Sequence, residues 1–267
     1  MTANVNELGF WDHLEELRWR LLRMIVYIIV AAALSWIFRE ALLEIMRYPA
    51  ELGAEMAGEE DFSFRIFEVA GGFILMIQIA LVSGVILAAP AAIVEMWLFV
   101  EPALEPHERK WVILVIPLAI LLFLSGVAVC YLIAPRAFEF FLRFNRSMGV
   151  EVELTLPPYI FFLMRMLLVF GISFQLPLVL SFLSAVGIVT QQGLLNYWRH
   201  AVLVLFIFGA LATPADPATM ILLAVPLVVL YMLSVWLAGL FEKRRARRDA
   251  EASEDAGDDD EALDASE

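Results

Sequence analysis

Long apolar runs separated by short charged interruptions dominate the chain. Window hydropathy gives six spans, at about Leu21–Phe38, Gly72–Val94, Val112–Ala134, Tyr159–Val186, His200–Ala212 and Ala218–Leu240. Pro90 falls late in the second and should break it softly. Pro117 lies early in the third and Pro177 inside the fourth. Spans two to four are long enough to cross about 30 Å of hydrocarbon with tilt; span five is short and predicts local thinning of the bilayer or a partly re-entrant course. The polar segments between spans have their own patterns. Arg39–Gly71 is acidic, and Leu42, Leu43, Ile45 and Met46 predict a short amphipathic surface helix, followed by a turn near Gly53 and Gly58. Pro135–Pro158 starts with a helical apolar pattern, Phe138, Phe141 and Leu142, and ends extended at Pro157-Pro158. Thr213–Pro217, TPADP, reads as a tight proline turn.

Composition makes the membrane reading firm. Of 267 residues, 62% are hydrophobic and mean hydropathy is +0.81, more apolar surface than a soluble domain of this size can bury. The expected fold class is an all-α polytopic membrane protein with six transmembrane helices. Residues 1–20 form an N-terminal segment, 21–240 the transmembrane domain and 241–267 a disordered acidic tail. The net charge of −13 is not a property of the body alone, because residues 242–267 carry eleven acids against five bases. Basic residues set the orientation. With the N-terminus inside, cytoplasmic segments hold eleven Lys or Arg and outer segments six, with Arg165 left over inside span four, so both termini are expected in the cytoplasm. The opening MTANVNELGFWDH lacks the basic start and cleavage site of a signal peptide, so the first span is expected to be retained. The lone cysteine, Cys130, permits no intrachain disulfide, and the three histidines are too scattered for a local metal motif.

Two charged stretches carry the candidate chemistry. Phe10–Leu21, FWDHLEELRWRL, places acids before bases at the foot of span one. Glu16 and Arg20 are four apart in the order that supports a helix. That spacing admits an internal ion pair at an interfacial helix start. It also admits one carboxylate kept free on the cytoplasmic surface to receive a cationic partner. Trp97–Trp111, WLFVEPALEPHERKW, is fixed in a bent path by Pro102 and Pro106 and presents Glu108 at the foot of span three, where a carboxylate also suits the helix dipole. Two acidic sites on one membrane face suit a ligand with two guanidinium groups, since Arg–carboxylate pairs can be bidentate.

These two stretches, with FGISFQLP in span four and the Ala212–Pro226 run ATPADPATMILLAVP, resemble the TatC family of the twin-arginine protein export system across roughly residues 8–243. The resemblance implies a cupped six-helix bundle in a bacterial or archaeal inner membrane. It implies a non-enzymatic core receptor, without cofactor, that binds twin-arginine signal peptides. With TatA and TatB, or a bifunctional TatA-like protein, such receptors export folded cargo on the proton-motive force. Carried over by position, the signal-peptide contacts are Glu16 and Glu108, supported by His13, Leu17, Arg18, Phe99 and Pro102, with Glu15 a variable neighbour of Glu16. The turn after span five falls on Thr213, Pro214 and Asp216. Two positions depart from the family pattern. Gln175 stands where many members have an acid at mid-membrane depth, and Met220 where a glutamine often follows the turn. Gln78 likewise stands where many relatives are basic. Gln175, Thr213, Asp216 and Met220 are thereby the implied contacts for a partner's span.

Arg165 lies about 15 Å outward of Gln175 along a helix. It is expected either to snorkel to the outer interface or to pair with Glu68 or Glu153. A secondary transporter would more naturally show repeats between spans one to three and four to six, and none is apparent. An intramembrane protease needs paired aspartates, a Ser–His pair or a zinc motif at depth, and Asp216 and the span serines offer no such set.

Overall fold

The computed structural model describes residues 5–59, 62–101, 109–149, 153–212, 221, 224–240 and 242–243. The chain is helical, with one two-residue parallel strand pair. In order the elements are α1 (Val5–Ile37), α2 (Arg39–Ala57), β1 (Phe64–Arg65), α3 (Gly71–Val100), α4 (Arg109–Ser147), β2 (Leu154–Thr155), α5 (Leu156–Ser173), α6 (Leu176–Val186), α7 (Gln191–Asn196) and α8 (Trp198–Ala212). A further apolar helix, α9, runs over Ala224–Leu240. Four stretches are long and apolar enough to cross a membrane, at His13–Ile37, Gly71–Val100, Val115–Ser147 and Leu156–Val186. The helices at residues 198–207 and 224–240 are shorter. The tail beyond residue 243 and the turn at 213–220 lie outside the described residues.

The chain divides into two compact units, residues 1–172 and 173–267. In the first, α1 packs most extensively on α3, and α2 on α4. The α1–α3 contact is backbone to backbone: a Cβ placed on Gly84 would lie 2.6 Å from the Ala32 Cα and N. Further along the same antiparallel pair, Trp36 meets Phe73 edge to face at 6.3 Å. The apolar residues left outside this contact, such as Ile29 and Val30 on α1, are exposed, as a lipid-facing surface requires.

The expected surface helix is α2, and it is longer than its apolar pattern suggested. Gly58, with φ of 79°, closes it in the left-handed conformation, as expected of a turn glycine. Gly53 is not a turn residue. It sits inside α2 where a Cβ would come 2.7 Å from the Pro135 carbonyl oxygen, so it permits α2 to lie on α4. Arg143 and Arg146 of α4 donate to the Met56 and Ala57 carbonyls, satisfying acceptors left open at the end of α2. The loops after α2 and α4 meet as the parallel pair Phe64–Leu154 and Arg65–Thr155. Phe62, Phe64, Phe138 and Tyr159 pack edge to face or tilted beside it.

The prolines correct several expected boundaries. Pro90 breaks nothing, and α3 runs unbroken for 30 residues to Val100. Pro117 and Pro135 both lie inside α4, whose 39 residues extend about 58 Å, well beyond the hydrocarbon. Span four, by contrast, is two helices. α5 ends at Ser173, and α6 begins at Leu176 with Pro177 in its first turn and Gln175 as its N-cap. Proline is accepted there because the first-turn N–H has no intrahelical partner to lose.

In the second unit, α6 and α9 are joined by the Ser184 hydroxyl, which donates to the Ala238 carbonyl at 3.1 Å. α7 is tied to α9 by the Tyr231 hydroxyl on the Leu194 carbonyl at 2.8 Å. Beyond α9, Glu242 accepts the Gln191 N–H at 3.0 Å, at the start of α7.

Candidate functional site

The end of the α1–α3 pair that carries the N-terminal half of α1 and the last two turns of α3 holds a packed cluster of charged side chains. Because the pair is antiparallel, the acids and bases of FWDHLEELRWRL meet the end of the second apolar helix. The Arg20 guanidinium is the centre. Its Nε donates to Glu16 Oε1 at 2.9 Å, its Nη2 to the same oxygen at 2.5 Å, and its Nη1 to Glu95 Oε2 at 3.3 Å. Glu95 is shared: Arg23 Nη1 donates to its Oε1 at 3.0 Å and the Tyr27 hydroxyl to the same atom at 3.2 Å. Five residues, Glu16, Arg20, Glu95, Arg23 and Tyr27, joined in one hydrogen-bonded chain suit a buried location, since a buried charge is tolerated only when paired and hydrogen-bonded. Glu95 is 7% exposed and Arg20 13%, while Glu16 is 31% exposed. The cluster thus has a sealed carboxylate and an accessible one.

His13 caps the accessible side. Its Nδ1 lies 3.8 Å from Glu16 Oε2, and its ring stacks on Phe99 with centroids 4.3 Å apart and planes 13° from parallel. Phe99 therefore fixes the imidazole over the carboxylate. Leu17 and Arg18, one turn along α1, are exposed beside this site, as is Glu15. Of the expected contacts, the structure brings together His13, Glu16 and Phe99. Pro102 and Glu108 lie outside the described residues, as do Thr213, Asp216 and Met220. Gln175 is half-buried at the α5–α6 joint, in the second unit. The carboxylate at Glu16 is not kept free, because Arg20 already holds it.

Sequence reading missed Glu95. Its signal was present: one acid in the apolar run AAIVEMWLFV, which ended the expected span at Val94 instead of marking a buried charge. It also overlooked the pairing at the other end of the molecule. Glu153 is held by Arg65 at 3.1 Å, so it does not await Arg165, whose guanidinium lies over the Phe161 ring at 4.6 Å.

Comparison with known proteins decides the family. Residues 12–226 match the family model described as Sec-independent protein translocase protein (TatC). The chain belongs to the TatC family. The TatC protein of Desulforapulum autotrophicum is 36% identical over 257 residues, covering 96% of this chain and 93% of the relative. That of Aquifex aeolicus is 29% identical, covering 88% and 96%. A solved structure described as the twin arginine translocase receptor TatC superposes with a TM-score of 0.78 at 30% identity, covering 86% of this chain and 99% of that one. The TatC fold is thus shared over nearly the whole of the solved relative. As a TatC protein with several long apolar helices, the chain is a multi-pass membrane protein and a protein translocase component; its relatives are named as transport subunits. Within this TatC chain, Glu16 and its surrounding cluster fall inside the matched range.

Proposed function

We propose that this chain is the core receptor of a twin-arginine translocation system, binding the paired arginines of a signal peptide at Glu16 and Glu108. One observation carries the reading: an accessible carboxylate, Glu16, sits beside a stacked His13–Phe99 pair on a rigid two-helix platform. A charged guanidinium finds there a planar acceptor and an aromatic wall, the two surfaces its flat cation uses. Glu108 is the second acceptor, with Pro102 in the same stretch of the sequence, while Leu17 and Arg18 border the first. Solved relatives described as twin arginine translocase receptors favour the same reading. The wider reading follows the family: six spans, both termini in the cytoplasm and residence in the inner membrane of a bacterium or archaeon. TatA and TatB, or one TatA-like protein, assemble on Gln175, Thr213, Asp216 and Met220, and the proton-motive force drives folded cargo across.

Binding of a synthetic peptide with adjacent arginines to the purified chain tests the receptor reading. Glu16→Gln removes a charge-assisted hydrogen bond, and its expected cost is about 1.5–3 kcal/mol, or roughly 10- to 150-fold in Kd. Glu15→Gln, on the exposed neighbour, should do much less. Equal effects of the two substitutions would place the contact elsewhere.

A further inference from the structure

Arg20 stands between two carboxylates of unequal access. It gives two N–H donors to Glu16, which solvent reaches, and one to Glu95, which solvent barely reaches. A ligand guanidinium arriving from water therefore meets Glu16 first, and finds its Oε1 occupied. If Arg20 were displaced with no second acceptor, a nearly buried guanidinium would lose its counter-ion, a strongly unfavourable outcome. Glu95 removes that obstacle because it already holds the far nitrogen of the same guanidinium. Its other oxygen is held by Arg23, whose side chain is 50% exposed and so is easily released to water, and by Tyr27.

We propose that Glu95 is an internal exchange partner: when a ligand arginine takes Glu16, Arg20 transfers wholly to Glu95 and Arg23 yields to solvent. This rests on the receptor reading of Glu16 given above. Three guanidiniums then compete for two carboxylates, and the best hydrated one is released. Glu95 touches no ligand. It is a positioning residue that sets how available Glu16 is, and it makes the cluster selective for a ligand that can match the two N–H donors Arg20 converges on Glu16 Oε1, as the guanidinium fork of arginine does and lysine does not.

The test uses the full chain in detergent and four versions of it: unchanged, Glu95→Gln, Arg20→Gln and the double variant. Each is measured for Kd with the twin-arginine peptide and for thermal stability. Glu95→Gln leaves Arg20 dependent on Glu16 alone, so affinity should fall about tenfold, just under the low end of the range measured for close interfacial charge pairs. Arg20→Gln empties Glu16 and should tighten binding, while Glu95 keeps Arg23 and Tyr27. In the Arg20→Gln background, the Glu95→Gln substitution should change Kd by no more than about twofold, because nothing remains to be exchanged. A merely structural role for Glu95 would instead lower affinity equally in both backgrounds, and that result, or no effect of Glu95→Gln at all, overturns the exchange. Glu16→Gln separates the two readings. If it binds peptide as well as the unchanged chain, the receptor site itself is misplaced. If it loses binding while Glu95→Gln does not, only the exchange fails.

Discussion

At the scale of single residues, the site depends on a glycine about three turns away from it. Gly84 lets the α1 and α3 backbones touch at Ala32, and that contact fixes how far Glu95 stands from Arg20 and Arg23. Glycine within a helix normally costs about 1 kcal/mol relative to alanine, so substitution ought to help the helix. Here a Cβ would lie 2.6 Å from backbone atoms that cannot rotate away, and the steric term wins. Gly84→Val should lower stability by about 1–3 kcal/mol or more, read as a drop in Tm in detergent, and should weaken peptide binding in parallel as the pair splays. A Tm unchanged within error would mean the helices are free to separate at that point. The sequence announced neither Gly84 nor Glu95 as parts of one device. A glycine in an apolar helix and an acid near its end are both common, and only the antiparallel pairing of residues 13–36 with 73–99 makes them neighbours of the same arginine cluster. Glu16–Arg20 was legible because its spacing is local. Glu95 was not, because its partners are 72 and 75 residues away.

At the scale of elements, apolar runs located the helices well and prolines located their ends badly. Among the described residues, Pro49, Pro90, Pro117 and Pro135 are carried inside continuous helices, while Pro177 opens α6 and Pro157-Pro158, expected to be extended, lie in the first turn of α5. The difference lies in what each proline asks of the chain. Packed neighbours and local adjustments re-satisfy the groups that a mid-helix proline frees, whereas Pro177 occupies a first turn where nothing needs repair. Gln175, two residues before it and the N-cap of α6, is consequently a joint residue. On the reading that Gln175 meets the partner's span, Gln175→Leu should weaken TatA or TatB co-purification while leaving twin-arginine peptide affinity unchanged. Interhelical hydrogen bonds in membranes average about 0.6 kcal/mol, so the expected loss is only a few-fold and calls for quantitative association measurements. Reduced Tm with intact association would instead assign Gln175 to the repair of its own joint. Gln175→Glu should retain assembly, since the resemblance places an acid at this position in many relatives.

For the whole molecule, the orientation in the membrane decides whether the cluster can meet a peptide at all. On the receptor reading proposed above, signal peptides arrive from the cytoplasm, and the N-terminal half of α1 and the end of α3 would have to face it. The charge distribution argues for that orientation: Arg18 and Arg20 precede the first apolar span, Arg23 lies in its first turn, and Lys243 with four arginines follows the last. Towards the opposite ends of α1 and α3, which this orientation would place outside, several basic residues are paired. Arg65 pairs with Glu153, Arg143 with Glu139 and Arg146 with Glu59. Single-cysteine labelling tests the arrangement. Cys130 is buried and can be replaced by alanine, leaving a background free of thiols. In that background Val5→Cys and Asp255→Cys should resist a membrane-impermeant maleimide in intact cells and react after permeabilisation. Ser63→Cys, beside β1 in the exposed outer loop, should react in intact cells. Protection at 5 with labelling at 255 would mean an odd number of crossings, which would make the short helix α8 or α9 re-entrant. Labelling at 5 in intact cells would put the Glu16 cluster on the wrong face and remove the receptor reading with it.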